Sequence, residues 1–235
     1  MKGMILAAGL GTRLKPFTDH HPKALVPVLG KSLLRRNVEY LHSFGITEMI
    51  VNIHHFPDQM REEITAINNS GFSVTVSDET ADVLETGGGL KKAAGFFQHS
   101  DEPFVLMNAD ILTDLDLHTM VADHLTHNPL ATLAVSERPA SRMLLFDDTG
   151  KLCGWQNENN GELKGAPGEK KAFSGIHIIS PGIFPLITES GKFSVIDLYL
   201  RLSAVKTIRA FEHRGTKFID VGKPGSIENA QEMFG

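Results

Sequence analysis

The residues best suited to chemistry lie between Met4 and Gly30, M-I-L-A-A-G-L-G-T-R-L-K-P-F-T-D-H-H-P-K-A-L-V-P-V-L-G. Leu6, Ala7 and Ala8 close an apolar run of strand length, and Gly9 and Gly11 then leave backbone N–H groups open to a ligand. Thr12 adds a hydroxyl, and Arg13 and Lys23 add two cations that a folded-back loop brings together, Lys23 following Pro22. The chain carries a formal net charge of −5, so the gathering of Arg13, Lys15 and Lys23 around one loop is a local feature rather than a basic background. A strand end, bare amides and cations suit a polyphosphate.

Two phosphate-binding loops of other classes do not match. A dinucleotide turn requires a third glycine where Leu14 stands, together with an acidic residue placed for the ribose. A P-loop requires Lys directly after its second glycine, and that position is Thr12. Both a nicotinamide-dependent oxidoreductase and a P-loop nucleotidase are therefore disfavoured.

Further along, Phe104 to Asn108 is an apolar run ending in Asn108-Ala109-Asp110. A carboxylate at the carboxyl end of a central strand points into the ligand crevice, and Mg²⁺ favours one or two carboxylates plus phosphate oxygens, which makes Asp110 the first candidate metal ligand. Asp114 and Asp116 lack the spacing of a calcium loop and read as turn or N-cap residues. His118 and His124 are six apart, off-face on a helix, and His54-His55 lacks the metalloprotease pattern, so the histidines read as ordinary residues.

The elements that must position these groups alternate regularly. Apolar spacing predicts a helix from Ser32 to Phe44, a strand from Glu48 to Ile53, a helix from Pro57 to about Asn68 and a strand from Phe72 to Ser77. This alternation indicates an α/β, doubly wound, mostly parallel mixed sheet, whose ligands collect beyond the carboxyl ends of the strands. Leu84 to Leu90, L-E-T-G-G-G-L, opens a helix toward Phe97, and three consecutive glycines imply a backbone that must carry no side chains. Leu117 to Asn128 reads as a helix, and Ala131 to Val135 as a strand. Beyond these, Leu144 to Phe146, Leu152 and Ala172 to Ile179 read as strands around a polar loop from Asn157 to Lys171. A helix over Val195 to Val205, strands over Ile208 to Glu212 and Lys217 to Val221, and a last helix from Pro224 to Met233 complete the chain.

L-A-A-G-L-G-T-R-L followed by P-K-A-L-V-P-V resembles the signature of the sugar-1-phosphate nucleotidyltransferases, a resemblance that extends over nearly the whole chain. It implies that Leu6, Ala7, Ala8, Gly9, Gly11 and Thr12 wrap a nucleoside triphosphate whose phosphates Arg13 and Lys23 hold. L-E-T-G-G-G-L resembles the base-recognition loop, which gives Glu85, Thr86, Gly87 and Gly88 to the nucleobase. It matches the branch containing N-acetylmuramate-1-phosphate uridylyltransferases better than the Gln-bearing thymidylyltransferases or the G-T-A-G guanylyltransferases. Asn108 matches a residue beside the sugar phosphate, and F-S-G-I-H-I-I-S-P resembles the segment closing on the sugar, with Ser174 and Gly175 as pocket candidates. F-I-D-V-G resembles a second metal site with Asp220 as ligand, although an Asp there could also cap the last helix. The resemblance thus makes Arg13, Lys23 and Asp110 catalytic and Asp110 with Asp220 the ligands of Mg²⁺, the cofactor. It also implies a small antiparallel sugar-binding layer.

The expected substrates are UTP and N-acetylmuramate 1-phosphate, with GTP and a mannose or heptose 1-phosphate as runner-up. No E-K-P segment is present, and Arg142-Met143 stands where some uridylyltransferases carry an acidic residue. A non-catalytic, sugar-nucleotide-sensing subunit is expected to lose Arg13, Lys23 or one aspartate, and all four are present.

The 235 residues are within the size of one domain, with a nucleotide-binding half of about 1–135 and a sugar-binding half of about 136–235. Hexapeptide repeats are not found after Asp220, which sets the chain apart from bifunctional acetyltransferase relatives. A pI near 6.1 without a basic block excludes nucleic acid as a partner. Neither a signal-peptide pattern nor a membrane-length apolar run is present, so the expectation is a cytoplasmic protein without membrane contact. One cysteine, Cys153, permits no intramolecular disulfide.

Overall fold

The computed structural model describes residues 1–98, 100–223 and 225–235. The chain opens with β1 (Lys2–Leu6), passes through the glycine loop and three short 3-10 turns, and forms a ribbon of β2 (Pro27–Val28) and β3 (Lys31–Ser32). There follow α1 (Leu33–Ser43), β4 (Glu48–Ile53), α2 (Pro57–Asn69), β5 (Ser73–Asp78), α3 (Glu85–Lys92), α4 (Ala94–Phe97) and β6 (Phe104–Asn108). Next come β7 (Ile111–Thr113), α5 (Leu117–His127), β8 (Ala131–Ser136), β9 (Arg142–Phe146), β10 (Leu152–Asn157), β11 (Leu163–Gly165) and β12 (Glu169–Ile179). The chain closes with α6 (Val195–Leu202), β13 (Ile208–Glu212), β14 (Phe218–Asp220) and α7 (Gly225–Phe234).

Local chemistry accounts for the helix starts. The Ser32 hydroxyl accepts from the Arg35 N–H at 3.0 Å, and Asp116 accepts from the His118 N–H at 2.9 Å, each satisfying an orphan donor of a first turn. Pro57 takes the first position of α2, where its missing N–H is harmless. Pro224, expected near the start of the last helix, lies outside the described residues.

The main sheet runs β5-β4-β1-β6-β12-β8-β13. Strands β1, β4, β5 and β6 are parallel, β8 and β13 are parallel, and β12 lies antiparallel to both β6 and β8. The winding reverses between β1 and β6, because β4 and β5 follow β1 on one side while β6 returns to the other. Leu6 pairs with Asn108 in that register, so the glycine loop and Asp110 leave the sheet side by side at a topological switch point. The doubly wound, mixed sheet expected from the alternation is therefore observed.

Residues of α1, α2 and α5 pack on one face, with Leu34, Val38, Met60, Ile64 and Met120 in one buried cluster. Leu90, Phe97, Leu198 and Tyr199 of α3, α4 and α6 pack on the other. A third cluster, Leu14, Val26, Val28, Leu33, Leu112, Val221 and Ala230, seats the glycine loop on α7. Antiparallel strands β9, β10 and β11 join the first residues of β12 to form the smaller layer. The polar loop expected from Asn157 to Lys171 is shorter than the composition suggests, since β11 pairs with Gly154 to Gln156 of β10. Gly154 permits this approach, as a Cβ there would lie 2.3 Å from the Ala166 carbonyl oxygen. Among the described residues no helix is long and apolar enough to cross a membrane.

Candidate active site

The glycine loop is held at both edges before any ligand is considered. The Ala7 N–H donates to Asn52 Oδ1 at 2.6 Å, and Asn52 Nδ2 donates to Glu79 Oε1 at 2.9 Å, all in the interior. The Ala109 N–H donates to the Leu6 carbonyl at 3.0 Å, which fixes the spacing between the ends of β1 and β6. Gly9 and Gly11 serve different ends. Gly11 has φ of +63°, and a Cβ on it would lie 2.8 Å from Lys23 Cβ and 2.9 Å from Thr18 Cγ2. Nothing lies within 4 Å of a Cβ built on Gly9, which faces an open cleft of about 500 Å³.

Leu6, Ala7, Ala8, Gly9, Gly11, Thr12, Arg13, Lys23, Glu85, Thr86, Asn108 and Asp110 all line this cleft, so most of the sequence candidates meet in one place. Lys23 pairs with the Asp110 carboxylate across it, both side chains largely buried. Asp220 reaches the same mouth through β14, which pairs antiparallel with β7: Asp220 lies opposite Ile111, and the Val221 N–H donates to the Asp110 carbonyl at 2.8 Å. Gly222 leaves room there, because a Cβ on it would lie 2.5 Å from Asp220 Oδ1 and 2.9 Å from an Arg13 guanidinium nitrogen. Lost hydration and then the Asp110 charge push the Asp220 carboxyl above the usual carboxylate range, while Lys23, Arg13 and Arg138 pull it back. Asp220 is surface-exposed, yet its carboxyl is crowded enough for the loss of water to dominate. A carboxylate whose charge is disfavoured by lost hydration and by a second carboxylate beside it suits a hard divalent cation whose remaining ligands are phosphate oxygens. Among the described residues no group of three or more His, Cys, Asp or Glu side chains is placed to hold a metal alone.

The L-E-T-G-G-G-L segment divides. Glu85, at φ of +58°, and Thr86 line the cleft. Gly87 and Gly88 do not line it, because their bare faces are filled by the chain itself. A Cβ on Gly87 would lie 2.4 Å from the Phe193 ring, and one on Gly88 would lie 2.4 Å from the Gly191 carbonyl oxygen. The Gly87 N–H donates to the Phe193 carbonyl at 2.9 Å, so that amide is already occupied. Gly89 admits the Glu79 and Asn52 pair, with Glu79 Oε1 2.8 Å from its would-be Cβ. The Thr86 hydroxyl accepts from the Val195 N–H at 2.9 Å, tying α3 to the start of α6.

A second cavity of about 530 Å³ adjoins the first and shares Thr86, Asn108, Arg142 and Ser194 with it. Ser174 is not brought to it. That side chain is fully buried and its hydroxyl meets His213 Nε2 at 2.8 Å. Gly175 is a backing residue, with φ of +73° and a would-be Cβ 2.8 Å from Ile111 Cγ1 and 3.0 Å from Asn108 Nδ2. The second cavity is walled instead by Arg142, already singled out in the sequence, and by residues that local pattern does not disclose: Trp155, His177 and an ion pair of Lys164 with Asp197 at 2.9 Å. Lys164 also lies 5.2 Å from the Trp155 ring centre. The sole tryptophan of the chain, set in the otherwise polar run W-Q-N-E-N-N, was the available signal.

Residues 2–143 match the nucleotidyl transferase family. The N-acetylmuramate alpha-1-phosphate uridylyltransferase of Neisseria meningitidis serogroup B is 31% identical over 243 residues, covering 100% of this chain and 99% of that protein. The UTP--glucose-1-phosphate uridylyltransferase of Synechocystis sp. is 28% identical over 95% of this chain, which spans 60% of that protein's length. Among solved structures, HddC from Yersinia pseudotuberculosis complexed with GMP-PN is similar at a TM-score of 0.79 and 27% identity, covering 100% of this chain and 99% of that one.

Proposed function

This chain belongs to the nucleotidyl transferase family, and from that premise we propose that it transfers a nucleotidyl group from a nucleoside triphosphate to a sugar 1-phosphate, with UTP and N-acetylmuramate 1-phosphate as its pair. The observation carrying the reaction class is the meeting of Arg13, Lys23, Asp110 and Asp220 around one cleft at the switch point of the sheet. Similarity over nearly the full length of both chains to the Neisseria uridylyltransferase supports the particular substrates.

A phosphate oxygen of the acceptor attacks the α-phosphorus in line. A new P–O bond forms as the bond to the β-phosphate oxygen breaks, and pyrophosphate leaves with the electron pair. The attacking phosphate is already anionic, so no side chain need remove a proton. What remains for the protein is to hold two anions together and to stabilise the charge that gathers as the bond breaks. Loop amides from Ala8 to Thr12 cradle the triphosphate, and Arg13 holds the β and γ phosphates and the leaving pyrophosphate. Lys23 bridges the α-phosphate and the sugar phosphate. Asp110 and Asp220 would hold Mg²⁺, which when bound supplies positive charge to the phosphate oxygens. Glu85 and Thr86 face the base, while the second cavity, beginning at Asn108 and Arg142, takes the sugar.

A guanine nucleotide with a mannose or heptose 1-phosphate is the second reading, favoured by the likeness to HddC, whose structure holds GMP-PN. Pyrophosphate release from four NTPs against a panel of sugar 1-phosphates tests both. The first reading requires UTP with N-acetylmuramate 1-phosphate to give the highest kcat/KM, and a higher value for GTP with mannose 1-phosphate would replace it. Absence of release from every pair would overturn the reaction itself.

A further inference from the structure

Arg142, the first residue of β9, stands opposite Asn157 of β10 and lines both cavities. Of the four residues common to the two, Thr86, Asn108 and Ser194 are neutral, so Arg142 is the one charged side chain at the junction among the described residues. The Thr86 and Ser194 hydroxyls already accept backbone N–H groups, from Val195 at 2.9 Å and from Ile196 at 3.1 Å. The Arg142 side chain is exposed, and among the described residues no group takes a hydrogen bond or an ion pair from its guanidinium.

The other charges nearby are committed. Lys23 is paired with Asp110, Glu85 with Lys192 at 3.4 Å, and Lys164 with Asp197 at 2.9 Å. The Arg13 guanidinium and the Asp220 carboxylate share the space beside Gly222. Glu162 lines the second cavity and not the first, and it adds a negative charge there with no cation paired to it among the described residues. An anion is therefore least opposed where the two cavities meet.

The bond made in the proposed reaction crosses that junction. With the triphosphate in the first cavity and the sugar in the second, the acceptor's phosphate sits between them. A phosphate monoester carries about 1.5 to 2 negative charges at neutral pH, and here it must approach the α-phosphate, itself an anion. Lys23, placed between the two phosphates, is already shared with Asp110, so its single charge does not balance both. A guanidinium offers parallel N–H donors that match two oxygens of one phosphate.

We infer that Arg142 is an acceptor-binding residue whose guanidinium grips the phosphate of the sugar 1-phosphate and holds it against the α-phosphate. The inference rests on the proposed division of the two cavities between triphosphate and sugar. A carboxylate carried on the sugar would lie further into the second cavity, where Glu162 and the mutually neutralised Lys164 and Asp197 give it no net positive charge.

The test uses Arg142→Met, which keeps an apolar stem and removes the charge, and Arg142→Lys, which returns a charge without the fork. With UTP saturating, pyrophosphate release gives the KM for N-acetylmuramate 1-phosphate, and inhibition of that reaction gives the Ki of N-acetylglucosamine 1-phosphate, which has the phosphate and lacks the carboxylate. Arg142→Met should raise KM and Ki alike, by roughly 10–100-fold, while the KM for UTP stays within about twofold of wild type. Arg142→Lys should recover part of the loss. A rise in KM without a rise in Ki would give Arg142 to the carboxylate, and a rise confined to the KM for UTP would give it to the triphosphate; either result overturns the inference, as does no change in any constant. Both variants should melt with the wild type, because no contact within the chain is lost, and a clear fall in Tm would assign the side chain to the fold and overturn the inference too. Normal wild-type turnover with unaffected variants would remove this role alone, whereas no turnover by the wild type with any sugar 1-phosphate would remove the proposed reaction and this role with it.

Discussion

Alanine at Gly11 and at Gly9, two positions apart in one loop, should give opposite results. At Gly11 the backbone is left-handed, which costs a residue with a Cβ about 1–2 kcal/mol. The new methyl would also sit 2.8 Å from Lys23 Cβ and 2.9 Å from Thr18 Cγ2, well inside ordinary contact, and crowding a packed site adds about 1–3 kcal/mol. The two together come to about 3 kcal/mol, which for a chain of this size lowers Tm by roughly 6–12 °C. At Gly9 the backbone is ordinary and a methyl meets nothing, so stability should stay within about 0.5 kcal/mol of wild type. That methyl projects into the cleft that the triphosphate is to fill, so Gly9→Ala should instead raise the Kd for NTP. Thermal melting and equilibrium titration with the triphosphate, run on both variants, read the two effects separately. A Tm for Gly11→Ala equal to wild type, or undiminished NTP binding by Gly9→Ala, would refute the assignment of one glycine to the chain and the other to the ligand.

Lys23→Ala should lower kcat by roughly 10²–10³-fold, because the cation is needed where charge gathers; a change confined to the KM for NTP would withdraw that role. Asp110→Asn and Asp220→Asn should each cut turnover by orders of magnitude, and chelation of divalent ions followed by Mg²⁺ should abolish and then restore wild-type activity. Since lost hydration and Asp110 disfavour the charged Asp220, Asp220→Asn should also not lower the Tm of the metal-free protein at neutral pH, and a clear fall would return Asp220 to a structural role. Burial raises the fully enclosed Glu79 carboxyl. A folded pKa above the unfolded one means stability that is complete below the ordinary carboxylate range and lost as pH rises through the folded value. Tm followed from about pH 4 to about pH 8 should therefore fall less with rising pH in Glu79→Gln than in wild type, and identical slopes would count against a raised carboxyl.

How much of the site was legible depended on how far each partner lay along the chain. The end of β1, the cations of the loop and the strand-end Asp110 could be read because apolar runs, glycines and a carboxylate follow one another within a few residues. The need for glycine at 87 and 88 was legible too, but its cause was not: the space is taken by Gly191 and Phe193, which no local pattern connects to α3. Ser174 shares its segment with Gly175 and His177, yet the alternation of an irregular strand, whose register to β8 shifts between Phe173 and His177, decides which of them meets a cavity. Arg142, Lys164 and Asp197 assemble only through the pairing of β9, β10 and β11 and the packing of α6, so composition alone could not have gathered them.

The short ribbon of β7 and β14 also has a meaning in time. A ribosome releases the chain from its first residue onward, so the glycine loop, Lys23 and Asp110 emerge long before the strand that carries Asp220. Throughout that interval the second carboxylate and the α7 residues that seat the loop do not yet exist outside the exit tunnel. A nascent chain thus lacks the second carboxylate beside the cleft until β14 has emerged. A protein stalled or truncated ahead of β14 would have most of its sheet and only one of the two aspartates.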